Sequence, residues 1–356
     1  MNRRWPPYTA DLKWAAVYEG PRESQGHDLR PTSDNGYIVV GQATDHVWDE
    51  SAYLLKLDSL GNKQWDRVLG GGVMATSNAV QPSSDGYVLT GLGTMGGCVT
   101  RTDSQGAVLW ERAVSSGFER AWPILAPTLD GSLVAETGRH LVKMDSMGEI
   151  QWISQLSARV GVSEWLPDHR AVRQTRDGGY LAQAAPAHFV RFDPEGKLLV
   201  AHTLPNARGV MGSSFNLTND GGFVVACNGV RRPRNSASAV SLVKFSASGR
   251  LQWNRSLPDT LFGSSTCVLQ CRDGNYAVCG STASDKRGTR FGEVVFLDSL
   301  AAPLCSVVLR DVGVISDVES TRDGGIIITG TIVRAGKELL FVMKLSTAHE
   351  NYVGYL

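Results

Sequence analysis

Four groups of residues in this 356-residue chain have the types and spacing to do chemistry. The stretch from Ser157 to Arg170 carries Arg159, Glu164, Trp165, Asp168, His169 and Arg170. A carboxylate, an imidazole and an indole so close together offer an acid, a base and a stacking platform. The plainer reading is an indole plugging a junction among solvated charges. A second stretch, Gln42 to Ala52, holds Asp45, His46, Trp48, Asp49 and Glu50, which otherwise reads as an acidic surface loop. The third group is basic: Arg231-Arg232-Pro233-Arg234, then Asp285-Lys286-Arg287-Gly288-Thr289-Arg290. Arg231, Arg290 and their neighbours would form a positive rim suited to gripping a carboxylate or phosphate, or a solvated charge cluster. The fourth group is scattered in sequence: His27, Asp28, Arg30, Arg173, Asp317 and Glu319, with Trp122.

What gathers the fourth group is a repeat. Seven aspartates (Asp34, Asp85, Asp130, Asp177, Asp220, Asp273 and Asp323) open Asp-Gly-type turns between short apolar runs, 43 to 53 residues apart. Units of that length cannot bury their own hydrophobic faces and must stack. The second half of each unit repeats as well. Leu54-Leu55-Lys56-Leu57-Asp58-Ser59-Leu60-Gly61-Asn62-Lys63-Gln64-Trp65 returns as Leu141-Val142-Lys143-Met144-Asp145-Ser146-Met147-Gly148-Glu149-Ile150-Gln151-Trp152. Trp110 and Trp253 hold the same place. Alternating apolar and β-branched residues between Asp, Asn and Gly turns predict four strands per unit, a to d.

Seven such units predict an all-β fold, a seven-bladed β-propeller of four-stranded antiparallel blades spanning 1–356 as one domain. Unit seven has no tryptophan strand of its own, but residues 12–19 around Trp14 match that register. The N-terminal strand is therefore expected to close the last blade, with residues 351–356 competing for the same edge. Counting back seven residues from each turn aspartate gives a ring at the top of the inner strands: His27, Asn78, Pro123, Arg170, Ser213, Thr266 and Ser316. Asp28 and Asp317 lie one residue further in, and Arg30, Gln81, Arg173, Asn216 and Glu319 form a deeper layer. The a–b and c–d turns are short and uniform, so the variable d–a and b–c connections on the other face should carry function. Two units break the tryptophan rule, with Val200 in unit four and Cys305-Ser306 in unit six.

The Asp-x-x-Gly-x-x-x-Trp strand ends resemble the tryptophan-docking repeats of quinoprotein-like propellers. The Asp-Gly-Gly-Tyr-x-Val-x-Gly pattern is similar to repeats of bacterial surface propellers. The resemblance covers nearly the whole chain and implies architecture. Pyrroloquinoline quinone enzymes of that kind have eight blades, longer chains and often a vicinal cysteine pair, which this chain lacks, so no cofactor is expected. Shared fold carries no activity with it.

Thirty-five basic and 35 acidic residues leave no global field to favour nucleic acid or an anionic membrane. No apolar run approaches a membrane span. The six cysteines fall mostly in strands, without a C-x-x-C pair, and the N-terminal residues lack a secretory apolar core; a reduced, cytoplasmic setting is expected. Metal-protease, EF-hand, phosphate-loop and nucleophile-elbow motifs are absent.

Two classes of function fit these residues. In the first, the top-face funnel binds a small organic molecule, an anionic one if the arginines grip it, and transforms it as a lyase, isomerase, cyclase or hydrolase. His169 or His27 would move the proton and Glu164 or Asp168 would orient it. Arg170, Arg173, Arg30, Glu319, Asp317, Asp28, Trp122, Trp165, Trp48, Arg231 and Arg290 would hold the substrate. In the second, the propeller is a non-catalytic scaffold for a protein partner or a glycan.

Overall fold

Two turn chemistries, repeated from blade to blade, set the strand lengths. In the a–b turn of blade one the Asp34 carboxylate accepts hydrogen bonds from the Thr32 hydroxyl and the Gly36 amide (3.0 Å), and the Lys56 ammonium grips it at 2.8 Å. Asp177, Asp220 and Asp323 repeat the threonine bond, with Arg191, Lys244 and Lys344 as their cations. Partial burial opposes the charge of Asp34, Asp220 and Asp323. The lysine, threonine and glycine contacts outweigh it, so these carboxyls titrate at about 2. In the c–d turn Asp58 Oδ1 accepts from the Leu60 and Asn62 amides at 2.8 Å each. Gly61 there takes φ +84°, a region that penalises any Cβ.

The computed structural model describes residues 8–20, 23–46, 49–69, 76–93, 96–113, 124–128, 132–136, 140–156, 172–185, 187–205, 210–229, 240–258, 264–282, 291–310 and 312–349. They form seven four-stranded antiparallel sheets and, among themselves, no helix. Written a to d, blade one is Glu23–Pro31, Tyr37–His46, Asp49–Leu57 and Lys63–Leu69, and blade two is Thr76–Pro82, Gly86–Gly93, Gly96–Asp103 and Val108–Ala113. Blade three is Ile124–Pro127, Leu133–Glu136, His140–Met144 and Ile150–Gln155; blade four is Val172–Gln174, Tyr180–Ala185, His188–Phe192 and Leu198–Thr203. Blade five is Val210–Leu217, Phe223–Gly229, Val240–Phe245 and Leu251–Ser256; blade six is Ser264–Gln270, Tyr276–Ser281, Gly292–Leu297 and Pro303–Leu309.

Blade seven is Val312–Ser320, Ile326–Arg334 and Lys337–His349, completed by the N-terminal strand Tyr8–Tyr18. That strand runs antiparallel to its neighbour, Tyr8 facing His349 and Tyr18 facing Leu340. It begins earlier than the expected 12–19. Residues 351–356, the other candidates for that edge, lie outside the described residues.

Strands a touch one another around the axis, which makes them innermost. Strands b are buried on both faces and largely apolar, with Ile38, Val39 and Val40 fully buried. The core is distributed: each of seven apolar clusters is shared by two neighbouring blades. All six cysteines are thiols, and all but Cys305 are buried.

The recurring tryptophans pin those junctions. Four of the five indoles lie under the positive-φ glycine of the next blade's c–d turn, and Trp253 packs against the cluster that contains Ala301, the residue at that place in blade six. A Cβ on Gly61 would meet Trp14 at 2.7 Å, one on Gly106 would meet Trp65 at 2.9 Å, and one on Gly148 would meet Trp110 at 2.8 Å. Cys305 holds the tryptophan register in blade six, opposite Phe296 as Trp65 is opposite Lys56. Its small size has a reason: blade seven has no c–d turn, because its fourth strand arrives from the other end of the chain. Val200 holds the register in blade four, opposite Arg191.

Candidate functional site

Strand a is the innermost strand of its blade, and in four adjacent blades it carries a bulge. The register skips at His27, Asn78, Thr266 and Ser316, each seven residues before its turn aspartate. Opposite each skip strand b has a glycine. A Cβ on Gly41, Gly91, Gly280 or Gly330 would lie 1.7–2.0 Å from a strand-a carbonyl oxygen. The backbones of strands a and b thus approach too closely there for any side chain, and the extra residue re-aims its neighbours. Blade five differs. Ser213 pairs in register with Cys227, and the skip moves to Met211.

Immediately below the bulges of blades seven and one sits a buried ionic cluster. Arg30 Nη1 lies 2.7 Å from Asp28, 3.2 Å from Asp317 and 2.9 Å from Glu319, and also donates to the Leu29 carbonyl. Burial opposes the guanidinium charge, but Asp28 and Glu319 outweigh it and raise the Arg30 pKa above its ordinary value. The two aspartates do a second job. Asp28 Oδ2 accepts the Val80 amide of blade two at 2.8 Å, and Asp317 Oδ2 accepts the Leu29 amide of blade one at 3.2 Å. Carboxylates that accept backbone amides across a blade boundary staple strand a to strand a.

His27 bridges the same boundary. Its Nδ1 is 2.9 Å from the Ser77 carbonyl oxygen and its Nε2 is 3.3 Å from Gln25 Oε1, while Gln25 Nε2 donates to Glu338 at 2.5 Å. Burial lowers the His27 pKa, against the raising influence of the Ser77 carbonyl, Asp28 and Glu50. Both ring neighbours are oxygen acceptors, so a neutral ring donates to only one of them; with the proton on Nδ1 it donates to Ser77, and Nε2 makes no hydrogen bond to Gln25 Oε1. Glu164 and Asp168, the carboxylates expected to orient this histidine, lie outside the described residues.

The structure therefore brings together His27, Asp28, Arg30, Asp317 and Glu319. It does so on one side of the ring, where sequence counting set the arginines against the acids. Arg173 stands three blades away on strand 4a, its Nη1 donating to the Val172 carbonyl at 2.9 Å. Trp48, Trp122, Glu164, Trp165, Asp168, His169, Arg170, Arg231 and Arg290 lie outside the described residues. Among the described residues no group of three or more His, Cys, Asp or Glu is placed to hold a metal ion, and no helix is long and apolar enough to cross a membrane. Sequence reasoning missed the inter-blade staples. Their only sequence signal is an aspartate after the bulge in blades seven and one and nowhere else among the seven units.

No protein-family model matches the chain, and no curated protein matches it. Its fold is similar to solved propellers at low identity. The Pan2 WD40 domain of Neurospora crassa aligns at 12% identity and a TM-score of 0.58, covering 97% of both chains. YCF48 bound to D1 peptide aligns at 12% identity and a TM-score of 0.60, covering 96% of this chain and 98% of that one. BBS1N in complex with ARL6DN aligns at 11% identity and a TM-score of 0.54, covering 97% of both chains.

Proposed function

We propose that the protein is an interaction propeller, holding a peptide or protein partner on the face where its b–c and d–a connections open. The observation that carries this reading is the commitment of the inner acids. Asp28 and Asp317 each accept a backbone amide of the next blade and share one guanidinium with Glu319. Groups tied into the ring in this way hold it rigid; a general acid or base needs a proton site open to substrate. A rigid ring presenting irregular loops is what a binding face requires. The similarly folded YCF48, described with a bound peptide, and BBS1N, described in complex with ARL6DN, accord with this reading.

Site-specific photo-crosslinking tests it. Benzoylphenylalanine is placed at Glu50 or Arg334 on the loop face, at Ser33 on the opposite face, and at Leu109 on the outer rim, all of them exposed. Irradiation in extract of the source cells is expected to give a discrete protein adduct from Glu50 or Arg334, without one from Ser33 or Leu109. Adducts from the rim alone, or none from the loop face, would sink the proposal. The small-molecule reading would then lead, with H27Q the first variant to assay for lost turnover.

A further inference from the structure

The seam between blades four and five is built unlike its sisters. In blades seven, one, two, three and five an indole fills the space under the next blade's turn, and in blades one, two and five an arginine follows two residues later (Arg67, Arg112 and Arg255). The Arg67 and Arg112 guanidiniums lie over their indoles at 5.7 and 5.8 Å. Blade four has Val200 and His202 at these two positions, and the imidazole takes over the indole's seat. A Cβ on Gly249, whose φ is +76°, would meet the His202 ring at 2.0 Å. The ring packs on Phe223 and Phe245, with centroids 6.1 and 6.2 Å away.

An imidazole is smaller than an indole, and a cavity of about 10 Å³ remains, lined by Thr175, Arg191, His202, Leu217, Phe223 and Gly249 among others. That is the room one water needs. Two nitrogens of its lining residues, Arg191 Nε and His202 Nε2, are buried without a hydrogen-bond partner in the described structure. The remaining Arg191 nitrogens are engaged: Nη1 donates to the Ala247 carbonyl of blade five, and Nη2 lies 2.6 Å from Asp177.

We infer that this cavity binds one water, which bridges Arg191 Nε–H to His202 Nε2 and makes the seam between blades four and five the joint of the ring that loosens in acid. The water accepts from the guanidinium and donates to the neutral imidazole, so both orphaned nitrogens are satisfied. Protonation of His202 replaces that acceptor with a second donor and sets a cation beside Arg191. Burial and Arg191 both lower the His202 pKa. Other charged groups on the packed elements are Arg176 and Asp177 after Thr175, the Asp220–Lys244 pair beside Gly221, and Arg250 after Gly249. The sign follows from linkage. A depressed histidine pKa gives stability that is complete above the unfolded value near 6.5 and is lost as pH falls toward the folded value.

Thermal unfolding at pH 7.5 and 5.0 tests the joint, with H202F and the double variant V200W/H202R, which restores the sister Trp–Arg pair. H27Q controls for a second half-buried imidazole, at the seam between blades one and two. The wild type and H27Q are expected to lose more Tm on acidification than H202F or V200W/H202R. Hydrogen exchange on the wild type at pH 5.0 should show protection lost in residues 198–203 and 223–229 and retained around Trp65 and Tyr87. A crystal structure at neutral pH should show a water within about 3.2 Å of both nitrogens. The inference is overturned if folded H202F keeps the full acid loss, if exchange opens every seam equally, or if the cavity is dry.

Discussion

Removing the Arg30 guanidinium would leave Asp28, Asp317 and Glu319 crowded without a counter-charge, two of them buried. Losing one partner of a buried ionic cluster costs about 3–5 kcal/mol, so R30M should unfold at markedly lower urea concentration at pH 7. Protonating a carboxylate relieves the excess charge, so the deficit of R30M should shrink at pH 5. An equal deficit at both pH values would mean that packing, not charge, set the cost. This scale also shows why the turn aspartates were legible in sequence and the inner ones were not. Asp34 meets Thr32 and Gly36 within two residues, and local spacing displays that chemistry directly. Asp28 meets the amide of Val80, 52 residues on, and a backbone group leaves no signature in a side-chain pattern.

At the scale of turns and strands, the c–d turn of blade six contains an exception that can be corrected. Ala301 adopts φ +65° where the other c–d turns have glycine. The left-handed region costs a Cβ-bearing residue roughly 1–2 kcal/mol, and glycine's greater unfolded freedom takes back part of that. A301G should therefore stabilise by about 0.5–1 kcal/mol, read as a rise in Tm, and an unchanged or lower Tm would contradict the strain argument. The reverse change, G61A, should be harmful on two counts, because the new Cβ would also meet Trp14. The strands themselves were legible because period and turn residues agree in every unit. The exceptions could be located but not understood. Val200 was visible as a missing indole, whereas the move of His202 into the vacated seat depends on the turn of the next blade. Cys305 was visible too, and it made sense only once blade seven proved to have no c–d turn.

Across the whole molecule, stability resides between blades, since each apolar cluster draws on two of them, and the ring is complete only when Tyr8–Tyr18 lies along Lys337–His349. A chain lacking residues 1–18 should lose several degrees of Tm, and a synthetic peptide of residues 8–18 should restore it in trans. An unaffected truncated chain would show that the closing strand is dispensable. The number of blades could be read from sequence because the repeat is carried by short-range turn chemistry. The proposed binding face could not, because its connections are the parts in which the units do not resemble one another. The closing pair also settles how the molecule answers force. Tyr8 and His349 sit opposite each other at one end of the ladder, so tension applied through the two ends of the chain separates the rungs one after another. The ring therefore peels at blade seven like adhesive tape, and an anchored copy under load would open there at low force while six blades stayed folded.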